Sequence, residues 1–177
     1  DTGRYAEAAE QFFKAMKINP DYHDIYFNYG NLLKKQGKNN EALAQYRKAV
    51  SLNPGHVEAR HALSDLLFSQ NQNDEATVHY LEVVKSKPGD FRVLNNLGVA
   101  MDKQKRYIEA IDYYRRALDV QPNNPGVHYN LAVALLRVGD VQAGRFHFSR
   151  ALELKPDFAP AREALRSIEE IERQHRR

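Results

Sequence analysis

Five prolines, Pro20, Pro54, Pro88, Pro122 and Pro156, follow one another at intervals of 34 residues. A period of this size excludes most single-core designs, because a unit so short cannot bury an apolar face alone and gains a core only by stacking on copies of itself. It divides the chain into four whole units, 23–56, 57–90, 91–124 and 125–158. Residues 1–22 read as the second half of an earlier unit and 159–177 as the first half of a later one. A single array over 1–177 is therefore expected, and since it begins in mid-repeat without an initiator Met, it reads as a piece of a longer protein.

Each unit carries two amphipathic patterns at helical spacing. The first holds Tyr26, Tyr29, Gly30 and Leu33, then Leu94, Leu97, Gly98 and Met101, then Leu131, Ala132 and Leu135. The second holds Ala42, Tyr46, Ala49 and Val50, then Ala76, Tyr80, Val83 and Val84, then Ala110, Tyr114, Ala117 and Leu118, with Ala8, Phe12, Ala15 and Met16 in the leading partial unit. Apolar residues three and four apart share one face of a helix, so every unit is predicted to be a pair of helices. Gly3, Gly37 and Gly139 fall between the two patterns, where a left-handed residue ends a helix without a Cβ clash. Asn71 tolerates that geometry and Lys105 fits it poorly. The recurrent proline stops the second helix and pushes the residue before it to extended backbone.

Small residues recur where helices must approach. Gly30, Ser64, Gly98 and Ala132 occupy one position of the first helix, and Ala42, Ala76, Ala110 and Gly144 one position of the second, with bulky Tyr46 and Tyr114 beside the contact. The run Asn95, Asn96, Leu97, Gly98, Tyr107, Ala110, Tyr114, Ala117, Pro122 resembles the consensus of the tetratricopeptide repeat family, and the resemblance recurs in register along the chain. It implies an all-α fold, a right-handed α-solenoid superhelix of antiparallel helix pairs, with first helices lining a concave groove and second helices outside. Unit 57–90 departs most, with Arg60, Ser64, Asn71 and Val83 at consensus positions, and is expected to be the weakest. Gly144 inside a helix is expected to cost about 1 kcal/mol in propensity.

Composition adds exclusions. The chain has no cysteine, which removes disulfides, thiolate zinc sites and cysteine nucleophiles, and leaves the redox compartment open, with a cytoplasmic setting the expectation. No apolar run is long enough to span a bilayer and no signal-peptide pattern is present. The net charge of +3 is scattered beside Asp and Glu rather than gathered in the basic stripe that phosphate neutralisation requires, so a nucleic-acid partner is not expected, the Arg173, Arg176 and Arg177 tail being its only support. No phosphate loop, nucleophile elbow or isolated carboxylate pair is present, so neither catalysis nor a cofactor is expected.

The resemblance implies groove positions Phe27, Asn28, Asn31, Lys34 and Lys35, then Glu58, His61, Ala62, Asp65 and Phe68, then Arg92, Asn95, Asn96, Val99 and Asp102, then Tyr129, Asn130, Val133, Leu136 and Arg137. The partner-binding set drawn from these is Phe27, Asn28, Asn31, His61, Asp65, Phe68, Arg92, Asn95, Asn96, Tyr129, Asn130 and Arg137. Asn28, Asn96 and Asn130 share one repeat position, interrupted by Ala62, and a row of amides can hydrogen-bond an extended peptide backbone whatever its sequence. It resembles the asparagine ladder of glycosyltransferase repeat arms. The other reading is that these amides bond locally or to water. Phe27, Phe68, Tyr129, Val133 and Leu136 offer apolar pockets for ligand side chains, or else pack the solenoid. The family's chaperone-tail pattern fails, with Phe27 where a Lys is needed, Ala62 in place of an Asn and Asn96 in place of an Arg.

The seven histidines do not form an evident metal site. His79 and His147 hold equivalent positions two units apart, far beyond the about 2.1 Å reach of ligands to one ion. His56 and His61 are nearer, but with no Asp, Glu or His completing a tetrahedron, solvated histidines are expected.

The ends differ. A helix over 4–18 lacks an upstream partner and leaves Ala6, Ala9 and Phe13 with uncertain cover, which predicts self-association. A helix from about Pro160 to Gln174 has an apolar stripe, Ala161, Ala164, Leu165, Ile168 and Ile171, backed by charge, as a terminal cap would. The functional expectation is a non-catalytic scaffold whose groove takes a peptide segment or helix of a partner protein. The alternatives are the substrate-recruiting arm of a larger enzyme, such as a glycosyltransferase, or a self-assembling structural protein.

Overall fold

The structure, a computed structural model, describes residues 2–175, which form ten helices and no strand. They are α1 (Thr2–Ile18), α2 (His23–Lys35), α3 (Asn39–Leu52), α4 (Val57–Ser69), α5 (Asn73–Ser86), α6 (Phe91–Lys103), α7 (Tyr107–Val120), α8 (Pro125–Arg137), α9 (Val141–Leu154) and α10 (Ala159–His175). The chain is an α-solenoid of helix pairs, divided into a unit ending at Ser86 and a unit beginning at Lys87. In the first, α2 packs on α3 and α4 on α5, while α3 meets α4 and α1 covers α2. In the second, α6 packs on α7 and α8 on α9, α7 meets α8, α10 closes against α9, and the first helices α6 and α8 also touch.

The periodic faces are the buried ones. Leu33, Tyr46, Ala49, Leu63, Leu67, Tyr80, Val83, Leu97, Met101, Tyr114, Leu131 and Phe148 are withdrawn from water, as the spacing requires. The small positions work as ring sockets. A Cβ on Gly30 would stand 2.7 Å from the Tyr46 ring, and one on Gly98 2.7 Å from the Tyr114 ring. Gly144 has a different neighbour: a Cβ there would lie 2.9 Å from Leu136 Cδ2 and 3.2 Å from the Ala132 carbonyl, so the propensity cost of this glycine is set against close packing of α9 on α8.

The turn inside each helix pair repeats one conformation. Gly37, Asn71, Lys105 and Gly139 have φ of 74°, 60°, 62° and 86°, and the N–H just after each donates to a carbonyl in the preceding helix's last turn. Lys105 thus adopts the left-handed backbone that its side chain disfavours, because the repeat's tertiary packing imposes it. Gly3, expected in such a turn, lies inside α1 instead, which starts earlier than its apolar pattern indicates. At the other end Ala161 and Ile168 are buried, whereas Ile171, expected in the stripe, is 55% exposed. Arg176 and Arg177 of the basic tail lie outside the described residues. No helix among the described residues is long and apolar enough to cross a membrane.

A second recurrent device fastens the first helices α2, α4, α8 and α10. The fourth residue of each reaches back to the carbonyl of the period-marking proline: Tyr26 Oη donates to Pro20 O at 2.7 Å and Arg60 Nε to Pro54 O at 2.6 Å. His128 Nε2 stands 2.9 Å from Pro122 O, and Arg162 donates to Pro156 O. Arg60, a departure from consensus in sequence, is therefore a structural donor, and Leu94 is the one residue at this position with no group to offer.

Candidate functional site

The expected binding positions lie on the first helices of the two units. In the first unit Asn28 is exposed on α2. Asn31 is committed on one side, since its Oδ1 accepts a 2.8 Å bond from the buried Tyr46 hydroxyl. Asp65 has the same job on α4, accepting from Tyr80 Oη at 2.7 Å while His61 Nε2 stands 3.6 Å from its other oxygen. These pairs hold one register of first helix against second, and burial pushes the Tyr46 hydroxyl up to about 12. The equivalent first-helix positions in the second unit are Val99 and Val133; Phe148 opposite Val133 needs no acceptor.

The aromatic groove candidates turn inward. The Phe27 ring stands edge-on to His56 with centroids 4.9 Å apart and tilts against Tyr46 at 6.1 Å. Phe68 packs edge-on to Tyr80 at 6.3 Å, and Tyr129 sits between Phe148 at 5.5 Å and Phe158 at 5.4 Å. All three are half-buried, so each shows only part of a ring to a ligand.

In the second unit the candidates are more polar. Arg92 is exposed at the start of α6, and Asn95, Asn96 and Asn130 are half-buried on α6 and α8. Asn95 Nδ2 donates to Asn96 Oδ1 at 3.4 Å, while Asn95 Oδ1 is buried with no hydrogen-bond partner. On the same helix Asp102 Oδ1 is also buried and unpaired, and desolvation raises the Asp102 carboxyl above the usual aspartate range despite the Arg137 charge nearby. Arg137 lies over the Tyr107 ring with its guanidinium carbon 5.4 Å from the centroid and donates to the phenol oxygen at 3.3 Å.

The histidines are not solvated as expected. His128 is buried and shares a 3.0 Å contact between Nδ1 atoms with His147. Because His128 Nε2 faces the Pro122 carbonyl it carries the proton there, and His147 donates to the bare Nδ1. Burial, with His128 and Arg115 nearby, lowers His147 to about 4. His79 at the equivalent place in the first unit is half-buried beside Arg60, 3.4 Å away, and burial again lowers its pKa. His56 meets His23, Asp24 and Glu58 rather than His61. That grouping escaped sequence reasoning, though its signal was present: His23 and His56 lie almost one period apart, and turn residues one period apart become neighbours in a stack.

Profiles of tetratricopeptide repeats match residues 33–97, residues 1–37 together with 103–139, and residues 125–158. Among solved structures, MamA from AMB-1 is 26% identical over 88% of this chain and 85% of that one, with a TM-score of 0.81. MamA from MSR-1 is 25% identical over 88% and 89%, with a TM-score of 0.77. A MamA segment from Desulfovibrio magneticus RS-1, 23% identical over 89% of each chain at a TM-score of 0.76, shows the fold alone. No curated protein sequence matches the chain.

Proposed function

The chain belongs to the tetratricopeptide repeat family, and from that membership we propose that its repeats, read as one array, form a non-catalytic scaffold whose first helices bind an extended segment of a partner protein. The observation that carries this reading is the pair of half-buried amides at one repeat position of α6 and α8, Asn96 and Asn130, with the half-buried carboxylate of Asp102 on α6. A ligand that supplies backbone N–H groups and one basic side chain is matched by these amides and this carboxylate. Asn96 and Asn130 take the peptide backbone, Asp102 takes the basic side chain, and Tyr129 and Arg137 border the track. In the first unit Asn28 and the exposed parts of Phe27, His61 and Phe68 serve the same purpose, with Asn31 and Asp65 holding the helices in place. Arg92 adds charge at the mouth of α6.

Selection of random displayed peptides on the immobilised chain tests this reading. Enriched peptides should carry Lys or Arg, bind the Asn96→Ala, Asn130→Ala double variant at least tenfold more weakly at unchanged helical circular dichroism, and lose their basic residue when selected on Asp102→Asn. No enrichment, or affinity unchanged in the double variant, removes the groove reading.

A second reading, self-association through α1, is favoured by one observation. Phe13 is 50% exposed and Tyr5, Ala6, Ala9, Gln36 and Lys38 line an open cavity of about 420 Å³ between α1 and the turn after α2. Sedimentation velocity should show mass rising with concentration, and a constant monomer mass sinks it.

A further inference from the structure

Position 56 is a helix-cap position. Its counterparts Asp90 and Asn124 accept hydrogen bonds from Val93 N and Val127 N, three residues into their helices, whereas His56 gives α4 no side-chain cap. It turns instead toward the first turn of α2. His56 Nε2 lies 3.0 Å and His23 Nδ1 3.3 Å from the same oxygen, Asp24 Oδ1. The three ligand atoms all fall within 4.8 Å of one another. Donors placed tetrahedrally around a zinc-class ion at about 2.0–2.1 Å stand about 3.3 Å apart, so both measured edges have the length that a shared ion would give them.

Burial supplies the second observation. The His56 side chain is only 10% exposed, and both His56 Nε2 and His23 Nδ1 are buried without a hydrogen-bond partner, close as they are to the carboxylate. Two ring nitrogens crowding one oxygen without hydrogen-bond alignment are spaced as ligands of a common cation rather than as donors to it. Outer contacts agree. Glu58 Oε2 stands 3.5 Å from His56 Nδ1, where a carboxylate holds the proton on that nitrogen and leaves Nε2 bare.

We propose that His23, Asp24 and His56 bind one divalent ion of the zinc class, tying the start of α2 to the turn between α3 and α4. Two imidazoles and one carboxylate suit zinc, cobalt or nickel over calcium or magnesium, and leave a fourth position to water. Binding has a structural signature. Asn53 Oδ1 now accepts from Gly55 N at 3.0 Å and its Nδ2 faces His23 Nε2 at 3.1 Å. An ion on Nδ1 moves the ring proton to Nε2, and the Asn53 amide must turn over to accept it.

Titration of the tag-free full chain with Co2+, followed by its visible absorption, and displacement by Zn2+ test the site. One equivalent should bind, and Zn2+ should raise the Tm. His56→Asn installs the capping side chain found at Asn124, so the fold is retained while a ligand is lost; it should weaken Co2+ binding at least tenfold and abolish the Tm shift. His23→Gln should do the same and decides the matter if circular dichroism shows His56→Asn misfolded. The His147→Gln variant, which alters a remote histidine, should bind normally. Absence of Co2+ absorption at about 100 µM ion, or a loss below tenfold in the variants, overturns the proposal.

Discussion

At the scale of single residues the repeat imposes conformations that particular side chains resist. Lys105 holds φ of 62° where Gly37 and Gly139 hold the same turn without a Cβ. Replacing it by glycine should stabilise the second unit by about 1 kcal/mol, the left-handed penalty less the entropy of the freer chain, read as a raised urea midpoint at constant slope. The opposite sign holds at Gly98. Alanine there gains helix propensity but drives its Cβ to 2.7 Å from the Tyr114 ring, a rigid body in a closed core. Gly98→Ala should lose about 1–3 kcal/mol in the same measurement. Both positions were legible in sequence, Lys105 as a poor fit to a left-handed turn and Gly98 as a small-residue site with bulky Tyr114 beside the contact; how closely the ring approaches the glycine was not, because a recurrent glycine shows that bulk is forbidden without giving the distance.

At the scale of elements, first and second helices are registered by Tyr46 on Asn31 and Tyr80 on Asp65, and α3 is tied to α5 by a two-pronged contact in which Arg47 Nε and Nη2 donate to Glu75 at 3.0 and 2.8 Å. Tyr80→Phe leaves the half-buried Asp65 without its hydroxyl donor and should cost about 1–2 kcal/mol in chemical denaturation, more than Arg47→Ala, whose exposed pair contributes at most about 1 kcal/mol. Helix number, the helix pairing and most buried faces were legible in the sequence, because periods of 34 and 3.6 residues both record packing. The orientation of groove aromatics was not. Phe27, Phe68 and Tyr129 occupy positions that the resemblance implies face a ligand, yet their rings lean on second-helix neighbours, and an aromatic at helical spacing looks the same in either role.

For the whole molecule, acid is the revealing variable, since each unit keeps a partly buried histidine neutral. His147 falls from an ordinary 6.5 to about 4 and His79 is lowered too, so the folded chain resists protonation that the unfolded chain accepts. The stability that this neutrality contributes is complete above the unfolded value near 6.5 and is lost as pH falls toward the folded one. Calorimetry from pH 7 to pH 4.5 should show a falling Tm, and His147→Gln should flatten the second unit's share of the decline. A decline identical in that variant would assign the effect elsewhere. Sequence reading missed this sensitivity because it depends first on the burial of His147 and then on His128 and Arg115, all of which arise only when α7, α8 and α9 pack.

The bond from four of the five first helices to the proline carbonyl behind them joins a constant acceptor to a donor that is tyrosine, arginine or histidine. Because the invariant half of that joint is main chain, mutation can exchange the other half freely while the spacing of modules survives. Duplication and drift can therefore lengthen or diversify such an array without relearning how one module follows the next.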